Sequence, residues 1–146
     1  MEYPEVRIRL DEGALPPHYA SKQAAGADIH AYLNEPVSIE PGSRAIIPTG
    51  VYMELPDGYE AQIRPRSGLA FHHGITVLNA PGTIDADYRG EVRVILVHHG
   101  DKPVTIHPGE RIAQMVIQRT ARSVFITADT ISDTERGAGG FGSTGR

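Results

Sequence analysis

Three stretches of this chain combine residue types that can grip a polyanion or activate water. Arg64-Pro65-Arg66-Ser67-Gly68-Leu69-Ala70 sets a guanidinium, a hydroxyl and a glycine-freed amide in succession, a set suited to an oxyanion. Alone, the run reads more simply as a solvated arginine pair ending a strand. Asn79 to Glu91 carries two aspartates, Asp85 and Asp87. Asp87-Tyr88-Arg89-Gly90 has Asp first and Gly last, which predicts a type I turn with Asp87 bonded to nearby backbone. Asp85 has no such duty. If the stretch is a hairpin, Asp85 faces a cleft and can take a proton from water; its simpler reading is a surface strand carboxylate. The third stretch is the tail. Five of Gly137–Arg146 are glycine, and Phe141 is the sole large side chain in Gly137–Gly145. Without a lysine it cannot be a Gly-x-x-x-x-Gly-Lys-Ser/Thr loop. Its bare amides, flanked by Arg136, Ser143 and Thr144, can still wrap phosphate oxygens. By composition alone it is a disordered end.

Other chemistries find less support. The seven histidines include the neighbours His72-His73 and His98-His99. Adjacent residues of an extended chain point to opposite faces, so neither pair is expected to chelate a metal. The absence of cysteine removes disulfides, zinc–thiolate sites and thiol nucleophiles, and is compatible with a reducing cytoplasm. The net charge of −4 speaks against a nucleic-acid-coating protein. Of the 14 basic residues only Lys22 and Lys102 are lysine, and arginine forks onto phosphate where lysine offers a point charge. The most apolar stretch, Val92–Val97, is short and broken by Arg93, so no membrane helix is expected. MEYPEVRIRLDEG has neither a basic start nor an apolar run, so no secretory signal is expected there.

These residues must be held by short elements. At 146 residues and 40% hydrophobic content the chain suits one domain. Its 16 glycines and 11 prolines exceed the usual share and favour turns over long helices. Val6, Ile8 and Leu10 alternate with arginines, and Tyr59, Ala61 and Ile63 alternate with polar residues, which predicts half-buried strands. Val92–Val97, Val104–His107 and Ser123–Thr127 also read as strands. Arg111–Arg119 fits either period. Many short strands between frequent turns predict an all-β sandwich or barrel.

In order, these fragments resemble the trimeric dUTPase family over nearly the whole chain. Ala25-Gly26-Ala27-Asp28-Ile29 is similar to its first motif, Pro65–Ala70 to its second, Gly82–Glu91 to its third, Arg111–Met115 to its fourth, and Arg136–Gly145 to its fifth. Departures fall in variable positions: Ile29 and His30 in the first motif, and Phe71-His72 after the second. The resemblance implies a distorted β jelly-roll, a barrel-like sandwich over residues 1–135, with a mobile Gly-rich lid at 136–146. It implies a homotrimer with sites shared among chains, and Mg²⁺-dependent hydrolysis of dUTP to dUMP and pyrophosphate, which keeps uracil out of DNA and supplies dUMP for thymidylate synthesis. By carry-over, Asp85 activates the water that attacks the α-phosphorus. Asn79, Gly82, Thr83 and Ile84 read the uracil edge, with Arg93 beside them, and Tyr88 packs on the sugar. Arg66, Ser67, Gly68 and Gln114 hold phosphate oxygens. Arg136, Gly142, Ser143 and Thr144 close on the outer phosphates while Phe141 stacks on the base. Asp28 supports the metal through water. The alternatives are a dCTP deaminase, which should carry a catalytic Glu in its own hairpin motif, and a non-catalytic nucleotide-binding relative, which should have lost Asp85 or the tail motif. A cytoplasmic protein with no membrane or nucleic-acid partner is expected.

Overall fold

The computed structural model describes residues 3–145; Met1 and Glu2 of the N-terminal run and Arg146 of the expected lid lie outside the described residues. Eleven strands and one short helix follow in chain order: β1 Arg7–Leu10, β2 Ala27–His30, β3 Val37–Ile39, β4 Arg44–Pro48, β5 Val51–Glu54, β6 Tyr59–Arg64, α1 Ser67–His73, β7 Ile75–Val77, β8 Gly82–Ile84, β9 Arg93–His98, β10 Val104–Ile106 and β11 Arg111–Arg119. All ladders between them are antiparallel. The largest sheet runs β2-β11-β6-β8, and beside it lie β4-β9-β7 and the pairs β1-β5 and β10-β3. The sheets wrap one core, with Ile29, Ile47, Leu96, Ile106 and Ile112 fully buried, in a distorted jelly-roll sandwich.

β11 explains why its period was ambiguous. It lies between β2 and β6, and Ile112, Ala113, Met115 and Val116 are all buried. A strand covered on both faces has no polar face to alternate, so its apolar residues mimic helical spacing. The expected strand at Ser123–Thr127 is absent. That stretch joins no ladder, and Val124, Phe125 and Ile126 are 87%, 95% and 84% exposed. Its apolar side chains have no strand of the same chain to pair with. The helix α1 was not expected. Seven residues with none buried give no amphipathic signal. It ends at Gly74, whose φ of +68° suits glycine and whose N–H bonds the Ala70 carbonyl. His72 and His73 therefore ride its last turn and not an extended segment.

Candidate active site

The third motif opens on β8, at the edge of the large sheet. Gly82 faces Ile63 and Ile84 faces Ala61 across the ladder to β6. A Cβ on Gly82 would sit 3.3 Å from Asn79 Nδ2, so glycine leaves that amide its place. After β8 the chain turns two residues earlier than the residue pattern predicts. The Tyr88 N–H donates to the Asp85 carbonyl at 3.1 Å, so the turn spans Asp85–Tyr88 and not Asp87–Gly90. Gly90 answers to a different need: a Cβ there would fall 2.6 Å from Tyr88 Cζ, because the ring folds over it. Nor does the stretch form a hairpin. β8 pairs with β6, whereas β9 pairs with β4 and β7 in another sheet. The cleft between these sheets is a cavity of about 260 Å³ lined by Asn79, Gly82, Thr83, Ile84, Asp85, Tyr88 and Arg93. All seven are candidates from the sequence. Glu91 and the apolar Ile46, Ile63, Val77, Val92, Val94 and Ile95 complete the wall. β8 is an edge strand paired on one side only, and its outer backbone groups beside apolar side chains suit a planar ring with a polar edge.

A second cavity, of about 370 Å³, gathers Asp28, Arg66, Ser67, Gly68 and Gln114. Asp28 is buried on β2, with Arg66 Nε 3.1 Å from its Oδ1 and Arg111 3.6 Å from its Oδ2. The carboxylate holds two guanidinium groups in place at the mouth of the cavity. Arg111 and Gln114 are three apart on β11 and would face opposite ways on a regular strand. A register shift between Arg111 and Ala113 turns them to the same side. Gln114 donates to the Pro65 carbonyl at 3.0 Å, and Gly26 leaves room for its amide. Arg111, Ala20 and Ala24 also line this cavity and were given no role from the sequence; only the place of Arg111 in the fourth motif pointed to it. His30, the neighbour of this cluster, has a pKa below the ordinary value. Burial is the main cause; Asp28 opposes it, and Arg111, His18 and Arg66 add to it.

The two cavities stand apart. Ile84 faces Ala61, and Arg66 lies five residues further along extended chain, about 17 Å. The tail lines neither cavity. Arg136 donates to the Gly139 carbonyl at 2.8 Å, Ser143 and Gly145 close short turns on Gly140 and Gly142, and Phe141 is fully exposed at φ +51°. The structure thus brings the candidates together as three groups, not one.

A family model for dUTPase matches residues 13–145, a span that holds all five motifs. The chain belongs to the dUTPase family. It is 54% identical over 141 residues to the deoxyuridine 5'-triphosphate nucleotidohydrolase of Chlamydia pneumoniae, covering 96% of this chain and 97% of that one. Among solved structures it is similar to the dUTPase of Staphylococcus bacteriophage 80alpha with dUpNHpp, with a TM-score of 0.88 at 29% identity, 97% of this chain and 99% of that one. The G164S mutant of that phage dUTPase gives a TM-score of 0.88 at 26% identity over the same shares. The jelly-roll of this dUTPase is therefore shared with solved relatives across nearly its whole length.

Proposed function

We propose that this dUTPase hydrolyses dUTP to dUMP and pyrophosphate, with each site built from three chains of a homotrimer. The observation that carries the reading is the separation of an amide-lined cavity bearing Asp85 from an arginine-lined cavity at Arg66. Within one chain the carboxylate and the phosphate grip lie toward opposite ends of β6. A neighbour's Asp85 cavity set against this chain's arginine cavity can bring the two together. Activity of the Chlamydia pneumoniae relative, as its name states, is of the same kind.

In this reading the uracil edge meets Asn79 and the backbone of Gly82–Ile84. Mismatched polar groups would be left buried and unpaired, which rejects cytosine. Tyr88 crowds the 2′ position of the sugar. Arg66, Ser67, Gly68 and Gln114 hold phosphate oxygens, and α1 begins there with first-turn amides that have no partner within the helix. Asp85 takes a proton from water as its oxygen attacks the α-phosphorus. The bond to the bridging oxygen breaks and pyrophosphate leaves. Arg136, Gly142, Ser143, Thr144 and Phe141 close over the nucleotide from the arm.

A triphosphate of about four negative charges calls for Mg²⁺, which keeps most of its waters and sits on phosphates with few carboxylates. Among the described residues no group of three His, Asp or Glu can cage a metal. Asp28 Oδ2 faces Arg111 only at 3.6 Å and has a lone pair left for a metal-bound water. The residues fit a metal carried by the substrate, which would neutralise charge developing on the phosphates. Among the described residues no helix is long and apolar enough to cross a membrane, and a cytoplasmic role in keeping uracil out of DNA and supplying dUMP agrees with the chemistry. Pyrophosphate release from dUTP, dTTP, dCTP and UTP tests the reading. Release from dUTP alone is expected; ammonia from dCTP would favour a deaminase, and binding of dUTP without release a nucleotide sensor.

A further inference from the structure

Tyr88 can crowd a sugar only if its ring is held still, and it is 42% exposed on a turn. Its support comes from below. The ring lies against Gly90, where any Cβ would collide with it. Its hydroxyl donates to the Glu91 carbonyl at 2.9 Å. Glu91 is in turn fixed by its own side chain, whose Oε2 accepts the Gly50 N–H at 3.0 Å. Gly50 sits in the link between β4 and β5 at φ +67°, a conformation that favours glycine. The next residue is pinned to the same link. The Val92 N–H bonds the Val51 carbonyl at 2.8 Å, and the Val92 carbonyl accepts the hydroxyl of fully buried Thr49.

We propose that Glu91 is a positioning residue for sugar selection. Its carboxylate clamps the Gly50 amide, which fixes the Glu91 carbonyl, which holds the Tyr88 hydroxyl and keeps the ring against C2′ of the deoxyribose. The role rests on the reading that Tyr88 excludes ribonucleotides. Glu91 acts through Tyr88 and takes no part in the chemistry.

The test is the ratio of kcat/KM for dUTP to that for UTP, measured on the full chain and on Glu91→Ala, Glu91→Gln, Tyr88→Phe and Tyr88→Ala. A merely structural role would lower both activities together and leave the ratio alone. Tyr88→Ala is expected to lose most of the preference. Glu91→Ala and Tyr88→Phe should each lower it by about three- to tenfold, the scale of one lost hydrogen bond. Glu91→Gln still offers an oxygen to the Gly50 amide and should keep the wild-type ratio. A wild-type ratio in Glu91→Ala, with the preference lost in Tyr88→Ala, overturns the clamp and leaves the gate standing. An unchanged ratio in Tyr88→Ala overturns the gate itself. Glu91→Gln behaving as Glu91→Ala would also overturn the clamp, since charge and not the amide bond would then matter. Should Glu91→Ala fail to fold, Tyr88→Phe decides alone: it leaves the Gly50 link untouched, and a wild-type ratio there removes the hydroxyl tie on which the proposal depends.

Discussion

Asp85 is set by backbone. Its carbonyl closes the turn to Tyr88, and among the described residues no side chain bonds its carboxylate. The group is exposed at the rim of the amide-lined cavity, open to a water molecule and free of a competing partner. Asp85→Asn keeps the shape and the turn but cannot accept the proton. Turnover of dUTP should fall by about 10²-fold or more, with nucleotide affinity retained; near-normal turnover in the purified variant would remove Asp85 from the role. Gly26 offers a complementary test in the other cavity. A methyl group there meets the Gln114 amide and lies 3.1 Å from Gln114 Cβ, so the amide must swing away and the backbone must give by a few tenths of an ångström. Gly26→Ala should therefore lower the melting temperature by only a few degrees, through the lost Gln114–Pro65 bond, while raising KM for dUTP by about tenfold, the scale of a hydrogen bond to a charged group. An unchanged KM would show that Gln114 does not hold substrate. Residue types pointed to Asp85 and Arg66, and the family resemblance added Asn79 and Gln114. Asp85, Asn79, Arg66 and Gln114 were named before any fold was known, and each lines one of the two cavities. The Asp28 pair with Arg66 and Arg111 was not, because it joins residues 38 and 83 positions apart.

At the scale of elements, alternation marks β6 and β1, and the apolar run at Val92–Val97 marks β9 although that strand is largely buried. β6 alternates and was read correctly. β11 is buried on both faces and was left between two periods, and the register shift that aims Arg111 beside Gln114 leaves no mark in composition. The turn was misplaced by two residues because Gly90 was read as a turn glycine, whereas it makes room for the Tyr88 ring. In the proposed reading the arm is the element whose behaviour matters most to turnover. Residues 137–145 bury almost nothing, and ordering them costs roughly 1–2 kcal/mol per residue. In the proposed reading a nucleotide offsets that, through charged bonds to Arg136 and a stacking face for Phe141. Removing residues 137–146 should leave a folded protein with very low turnover, whereas Phe141→Ala should lose about 1–3 kcal/mol of stacking. Hydrogen exchange in the arm should slow on adding a non-hydrolysable dUTP analogue. Equal exchange with and without it would return the segment to a plain disordered end.

For the whole molecule the open question is what covers the surfaces that one chain leaves bare. Val124, Phe125, Ile126 and Ile131 are 84–95% exposed along a segment with no ladder. A monomer gains nothing from a run of large apolar residues in water. A second copy that receives them buries apolar area at roughly 25 cal/mol per Å², and it draws the arm beyond its own chain. In the proposed trimer the same assembly would close the gap of about 17 Å between the Ile84–Ala61 pair and Arg66. If sites are shared in this way, two inactive chains can repair each other. Chains carrying Asp85→Asn still have a sound arm, and chains truncated before Gly137 still have a sound Asp85. Co-expressed, they form mixed trimers in which some sites take Asp85 from a truncated chain and the arm from an Asp85→Asn chain. Pyrophosphate release from dUTP should then exceed that of either variant alone by at least tenfold, since each parent is expected to retain about 1% or less. Differently tagged chains purified on both tags in sequence ensure that the species assayed is mixed. No recovery in such a preparation would confine the site to one chain, and the separation of the two cavities would then need a different explanation.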